Sequence, residues 1–201
     1  MIKTKEDNTN LRKAICMVAI ANLCYFFVEF FFAIRIHSVS LFADSIDFLE
    51  DSSVNFLIFF ALSWSLVVRS RIGMVLAAII LIPGLATLWA VWQQIIFQKL
   101  PEPGFLSLIG FGALVVNSSC ALLLAEFRFH KGSLVRAAFL SARNDAAANI
   151  AIILTGFLTS FYPSIWPDII VGLAIAALNA GAAKEVYQKA REEQKLSKGV
   201  A

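Results

Sequence analysis

The sequence predicts an all-α, polytopic membrane protein of six transmembrane helices with both termini in the cytoplasm. Hydrophobic residues make up 59% of the 201 and charged residues only 15%, against roughly 45–50% and about 25% in soluble domains. Mean hydropathy is +0.77. Six apolar stretches fill the chain, each near the ~20 residues that a bilayer requires. Fourteen of the 17 Lys and Arg fall on one side of the topology that six spans impose. An ordinary cytosolic enzyme is excluded by this composition. The net charge of +3 is too small and too dispersed for a nucleic-acid partner.

The first stretch covers residues 14–34, behind a polar segment (1–13) that reads as a cytoplasmic tail and not as a cleavable signal. The second covers 39–64. The third, 72–97, contains no charged residue, which excludes a soluble bundle because its helices need polar faces. The remaining stretches are 105–127, 134–158 and 164–183, followed by a charged tail over 184–201. Residues 14–183 are thus the whole transmembrane domain. The breaks carry charge, Pro or Gly: Arg69 to Arg71, Lys99 to Gly104, His130 to Gly132, and Phe161 to Pro163. With no water to satisfy the backbone, spans of this length are helical. Trp64, Trp89, Trp92 and Trp166 lie mostly near span ends, where an aromatic belt belongs.

Orientation follows from the cations. Lys3, Lys5, Arg12 and Lys13 precede the first span, and Arg69 and Arg71 follow the second. Arg128, Lys131 and Arg136 surround the fourth break; Lys184, Lys189, Arg191, Lys195 and Lys198 follow the sixth span. Only Arg35 and Lys99 fall on the other side. The chain is expected in the cell (inner) membrane with its basic side in the cytoplasm. Cys16, Cys24 and Cys120 form no CxxC pattern and read as small apolar side chains.

Six acids fall within the spans: Glu29 in the first, Asp44, Asp47, Glu50 and Asp51 in the second, and Asp145 in the fifth. An Asp near a helix centre costs about 2.5–3.5 kcal/mol to insert, while Leu, Ile or Phe returns only about 0.3–0.6. Four acids on one helix therefore face the bundle or a wet cavity, not lipid. Structural ion pairing fails to account for them, because Arg143 is the one cation in mid-span and lies about 160° from Asp145 on its helix. Asp47 and Asp51 are about 40° apart, one turn above each other, and Asp44 and Asn55 extend the stripe with Glu50 at its flank. Ser141, Asp145 and Asn149 repeat the spacing on the fifth span, with Asn144 beside them. The two spans share an Asp-x-x-x-Asn pattern, as inverted repeats leave behind. No Gly-x-Gly-Asp occurs, so an intramembrane aspartyl protease is set aside.

Clustered carboxylates suit a divalent cation: each supplies hard oxygen, and together they neutralise the ion in a low-dielectric setting. Before the ion arrives, such a cluster must hold protons between its members, and metal binding would release them. Ion site and proton site then coincide.

These residues carry a resemblance. Asn22 to Glu29, followed by Ser40 to Asp51, resembles the first two helices of the cation diffusion facilitator family. Arg136 to Asp145 resembles its fifth helix, Asn117 a polar position of its fourth, and Asp168 to Leu173 its sixth. The resemblance implies a transporter that exports Zn²⁺ or a related ion (Cd²⁺, Mn²⁺, Fe²⁺, Co²⁺) from the cytosol in exchange for protons by alternating access. It also implies a homodimer joined through transmembrane helices and no permanently bound cofactor, the divalent metal being substrate. Helices 1, 2, 4 and 5 would form the ion-bearing bundle, with 3 and 6 beside it.

The family's four-ligand site falls on Asp47, Asp51, Ser141 and Asp145. Zinc-selective members usually carry His where Ser141 stands, so the site here is oxygen-only and harder ions gain ground. Depth reckoned from the span ends at about 1.5 Å per residue puts Asp51 near Asp145 and Asn149 between Asp47 and Asp51. Asn149 or Asn144 is thereby a candidate replacement ligand, with packing the alternative. Asn22, Glu29 and Asp44 read as supporting polar groups around the site, and Glu29 also as a proton relay. His37 and His130 are lone interfacial histidines. The chain also resembles a short member without the family's cytosolic metal-binding domain, which leaves a second reading: a non-transporting membrane subunit that dimerises with an active relative.

Overall fold

A computed structural model describes residues 2–61, 71, 85–127 and 133–199. Its helices are α1 (Ile2–Ile36), α2 (Val39–Ala61), α3 (Leu85–Phe97), α4 (Pro103–Ala125), α5 (Ser133–Phe161) and α6 (Trp166–Gly199). Among the described residues there is no strand. Expectations for Trp64, Arg69, His130 and the first half of the third span fall outside the described residues.

The distribution of side chains is inside-out. On α1, Phe27, Phe31 and Ile34 are exposed while Asn22 and Glu29 are fully buried. On α4, Leu108, Phe111, Val115 and Leu122 are exposed while Asn117 is buried, and on α5 Ile150, Leu154, Phe157 and Phe161 line the exposed face behind buried Asn149. Apolar residues at three- and four-residue spacing pointing outwards, with amides and acids inside, is the arrangement that hydrocarbon surroundings select. Two helical segments, Asn10–Ile36 and Pro103–Ala125, are long and apolar enough to cross a membrane by themselves. Helix α2 carries four acids, the described part of α3 is Leu85–Phe97, and the apolar part of α6 is Trp166–Leu178.

Alternation of the helices brings three connections together at one end. His37 caps α1 in the left-handed region (φ 57°), and Ser38 N–H reaches back to the Ala33 carbonyl at 3.0 Å. This is a Schellman-type ending, and His tolerates the backbone better than a β-branched residue would. Ser38 then caps α2, its Oγ accepting the Leu41 N–H at 3.2 Å. Lys99, in the α3–α4 connection, lies 3.2 Å from the His37 ring through its Nζ. Glu102 takes the N-cap position of α4 with no side-chain bond to the helix, and Pro103 stands at the helix start, where its missing N–H costs nothing. The start of α6 reaches the same end through Asp168. We call it the turn end.

Helix pairs set the levels along the bundle. Between α1 and α2, Ser52 Oγ donates to the Ala19 carbonyl at 2.9 Å, and the Tyr25 and Phe48 rings lie 5.0 Å apart. That register carries Glu29 to Asp44. Tyr25 also donates to the Ile109 carbonyl at 2.6 Å, tying α1 to α4. Helices α4 and α5 pack closely over small residues: a Cβ on Gly110 would lie 2.9 Å from Ile152 Cγ2, and one on Gly156 would lie 3.0 Å from the Pro103 carbonyl.

Both ends of the chain continue their helices. The segment before residue 14 is part of α1: Leu11 and Ile15 join a core with Ile58, Leu124 and Ala142, and the Arg12 guanidinium sits 5.0 Å over the Phe59 ring. The charged segment after residue 183 prolongs α6 to Gly199, with Lys184, Arg191 and Lys195 exposed.

Candidate metal-ion site

Helices α2 and α5 run antiparallel and present their acids to each other. Ser141 Oγ donates to Asp51 Oδ1 at 3.0 Å and faces Asp145 Oδ2 at 3.5 Å. The Asp51 and Asp145 carboxylates are themselves within hydrogen-bonding reach. Asp47 stands one turn before Asp51 on the same face of α2. Asp51 is buried, whereas Asp47, Ser141 and Asp145 are only half-buried, so the cluster keeps a path to the bundle surface. Three carboxylates and a hydroxyl from two helices offer hard oxygen donors alone, a set suited to a divalent cation. Among the described residues no three His, Cys, Asp or Glu side chains converge tightly enough to hold an ion as they stand. Ligation by three acids would need Asp47 to turn towards Asp51 and Asp145.

A second polar level lies nearer the turn end. Asn149 is fully buried; its Nδ2 donates to Asp44 Oδ2 at 2.5 Å, and its Oδ1 accepts from Asn117 Nδ2 at 3.0 Å. Its amide thus meets Asp44 and Asn117, not the space between Asp47 and Asp51. The depth reckoning assumed that α2 and α5 end at one level. In fact Asp51 faces Ser141 and Asp44 faces Asn149, so α5 overshoots the start of α2. Glu29, from α1, reaches the Asp44 carboxylate at this level.

The other candidates separate. Asn22 is buried and accepts from Cys120 Sγ at 3.6 Å. Asn144 is exposed and accepts from Arg143 at 3.3 Å. Arg143, also exposed, therefore neutralises none of the buried acids. Asn55, at the end of the stripe, donates back to the Asp51 carbonyl at 2.8 Å, and Glu50 is buried at the flank.

One acid escaped the count of intramembrane carboxylates. Asp168, in the first turn of α6, is fully buried. Its Oδ1 accepts from Ser38 Oγ at 2.7 Å, Ser40 Oγ at 2.5 Å and Ser40 N at 3.2 Å. Its Oδ2 accepts from Val39 N at 2.7 Å and from Gln94 Nε2 of α3 at 3.0 Å. Helices α2 and α6 both begin here, so the carboxylate lies between two helix N-termini, where negative charge is favoured. Gly172 lets α6 approach: a Cβ there would lie 2.8 Å from the Val39 carbonyl carbon. In sequence the only local signs are an acid in a first helical turn and two Ser at a helix start. Nothing local says that they meet.

Comparison with curated proteins finds no match. Residues 15–190, spanning all six helices, match the cation efflux transmembrane domain. An all-helical bundle with apolar faces outwards agrees with that match. The chain belongs to the cation efflux family: it is a membrane transporter of metal cations, and not an enzyme.

Proposed function

We propose that the protein exports Zn²⁺ or a related divalent ion (Cd²⁺, Mn²⁺, Fe²⁺ or Co²⁺) from the cytosol across the inner cell membrane, in exchange for protons, by alternating access. The observation that carries the reading is the meeting of Asp51 and Asp145 through Ser141, between two helices that approach from opposite directions. The ion enters at the half-buried level of Asp47 and Asp145 and displaces protons that the acids share in its absence. It leaves at the turn end as protons return. Direction follows from the cations: Arg35 and Lys99 lie at the turn end, while Arg12 in the first part of α1 and Lys184, Arg191 and Lys195 in the last part of α6 lie opposite, which positive-inside orientation places in the cytoplasm. Exposed apolar faces on α1, α4 and α5 leave ample surface for a second copy, and a homodimer is part of the proposal.

The test is flux into proteoliposomes under an imposed proton gradient. Asp51→Ala and Asp145→Ala each abolish metal movement while the protein still elutes as a folded species in detergent. Flux that survives both substitutions sinks the proposal. A wild-type chain that binds metal without moving it would favour a non-transporting subunit.

A further inference from the structure

We propose that Glu29 and Asp44, the latter held by the Asn149 amide, form a second station for the transported divalent cation, about two helical turns from Asp51 towards the turn end. This rests on the efflux reading above and adds a step to it.

Glu29 has no accessible surface, and neither of its carboxylate oxygens has a hydrogen-bond donor. Asp44 is equally buried; Asn149 supplies a donor to its Oδ2, but Oδ1 has none. The two carboxylates nevertheless approach within hydrogen-bonding reach of each other. Among the described residues no Lys, Arg or His pairs with either of them. Such groups are expensive to bury unpaired, so a positive species belongs between them.

Counting donors distinguishes the candidates. Three buried carboxylate oxygens want a partner: both of Glu29 and one of Asp44. A single proton bridges two of them and leaves the third orphaned. A divalent cation takes all three at once, and carboxylate oxygens are among its preferred donors. Asn149 turns its Oδ1 to Asn117 and its Nδ2 to Asp44, so the amide holds the Asp44 carboxylate in place and the ion's ligands are carboxylate oxygens. Position fits a transit role as well. Asp44 lies seven residues before Asp51, hence on the same face of α2. An ion leaving Asp51 for the turn end meets Asp44 next. The first level is half-open and the second sealed, as successive stations on an alternating path must be.

The test uses Mn²⁺ as probe, counted per chain by equilibrium dialysis of the detergent-purified full chain and read by its paramagnetic resonance. In an Asp51→Ala/Asp145→Ala chain, one Mn²⁺ still binds, more weakly than to wild type. Adding Glu29→Gln, or separately Asp44→Asn, lowers that residual affinity by about tenfold or more, because a charged ligand is lost. Both substitutions keep side-chain shape, and an unchanged elution profile and melting temperature show that the fold is intact. No Mn²⁺ on the Asp51→Ala/Asp145→Ala chain, with one bound by wild type, overturns the second station and leaves the efflux site standing. Residual binding that ignores both Glu29→Gln and Asp44→Asn also overturns it. A wild-type chain that binds neither Mn²⁺ nor Zn²⁺ overturns the efflux reading and the station with it.

Discussion

Replacing Asp168 by Ala should be the most damaging single change outside the ion site. The carboxylate accepts from five donors on two elements: Ser38, Val39 and Ser40 at the start of α2, twice from Ser40, and Gln94 on α3. On its loss the two hydroxyls can turn to each other, as Ser38 and Ser40 already lie 3.3 Å apart. Gln94 retains the His37 carbonyl at 3.2 Å. The Val39 and Ser40 N–H groups have no such recourse, being buried in the first turn of α2 with the acceptor gone. Each orphaned group costs about 1–3 kcal/mol, and removing one side of a buried charged network costs about 3–5 kcal/mol. A loss of about 4 kcal/mol is therefore expected. For a chain of this size, that corresponds to a fall of roughly 8–16 °C in melting temperature. Asp168→Asn keeps one acceptor oxygen and should cost about half as much. The assay is thermal unfolding of detergent-purified protein followed by tryptophan fluorescence, since Trp89, Trp92 and Trp166 belong to the helices joined here. A fall of under about 2 °C for Asp168→Ala would refute the reasoning, as would Asn being no milder than Ala.

Two further outcomes follow from geometry. Gly172→Ala places a Cβ 2.6 Å from Val39 Cγ1 and 2.8 Å from the Val39 carbonyl carbon. Backbone cannot yield as a side chain can, so the expected cost is about 1–3 kcal/mol, whereas Gly181→Ala, with nothing within 4 Å, should be neutral; equal melting temperatures for the two variants would contradict the close approach of α6 to α2. Ser141→His puts an imidazole nitrogen where a hydroxyl now faces both Asp51 and Asp145, and nitrogen ligation favours Zn²⁺ over Mn²⁺. Competition dialysis should show the Zn²⁺/Mn²⁺ affinity ratio rising by about tenfold or more, and an unchanged ratio would remove Ser141 from the ligand shell.

Much of this was legible in the sequence because it depends on local cost. Four acids on α2 had to face inwards wherever the other helices went, and they do. Asp51, Ser141 and Asp145 could be paired because each sits on a regular helix, whose periodicity fixes its face. Levels between helices were harder. Asn149 reaches Asp44 because α5 overshoots α2, and that offset is set by packing such as Gly156 against the start of α4, which no spacing within α5 reveals. Asp168 is the clearest case: its partners lie 74 to 130 residues away. An acid in the first turn of a helix ordinarily needs no explanation beyond the helix dipole. The helical continuation of α1 before residue 14 likewise depends on Leu11 and Arg12 finding α2 and its neighbours, contacts that a polar composition conceals.

Where the helices pack tightly and where they do not bears on how such a bundle can carry an ion. Among the described residues, α4 with α5 and α1 with α2 pair extensively and α2 packs broadly on α6, while α2 meets α5 over a narrower seam. The polar residues are concentrated on that seam. Three side-chain hydrogen bonds cross or brace it: Ser141 to Asp51, Asn149 to Asp44, and Asn117 to Asn149. At about 0.5–1.5 kcal/mol each for neutral partners, and about 1.5–3 where a charge is involved, their sum is comparable to what one bound divalent ion can contribute or withdraw. Helices α4 and α5 approach closely over Gly110 and Gly156, with Ile152 packed against the former, so this pair has reason to stay whole while the seam changes. At the turn end, Asp168 holds α2 to α6 and α3 with donors unrelated to the ion. One end of α2 is thereby fixed, and the acids lie further down the same helix. A small rotation about the fixed end moves Asp51 more than Asp44. An ion passed between them would then exchange an open, adjustable station for a sealed one, with the bonds of the seam, not the core of either helix pair, bearing the energetic difference.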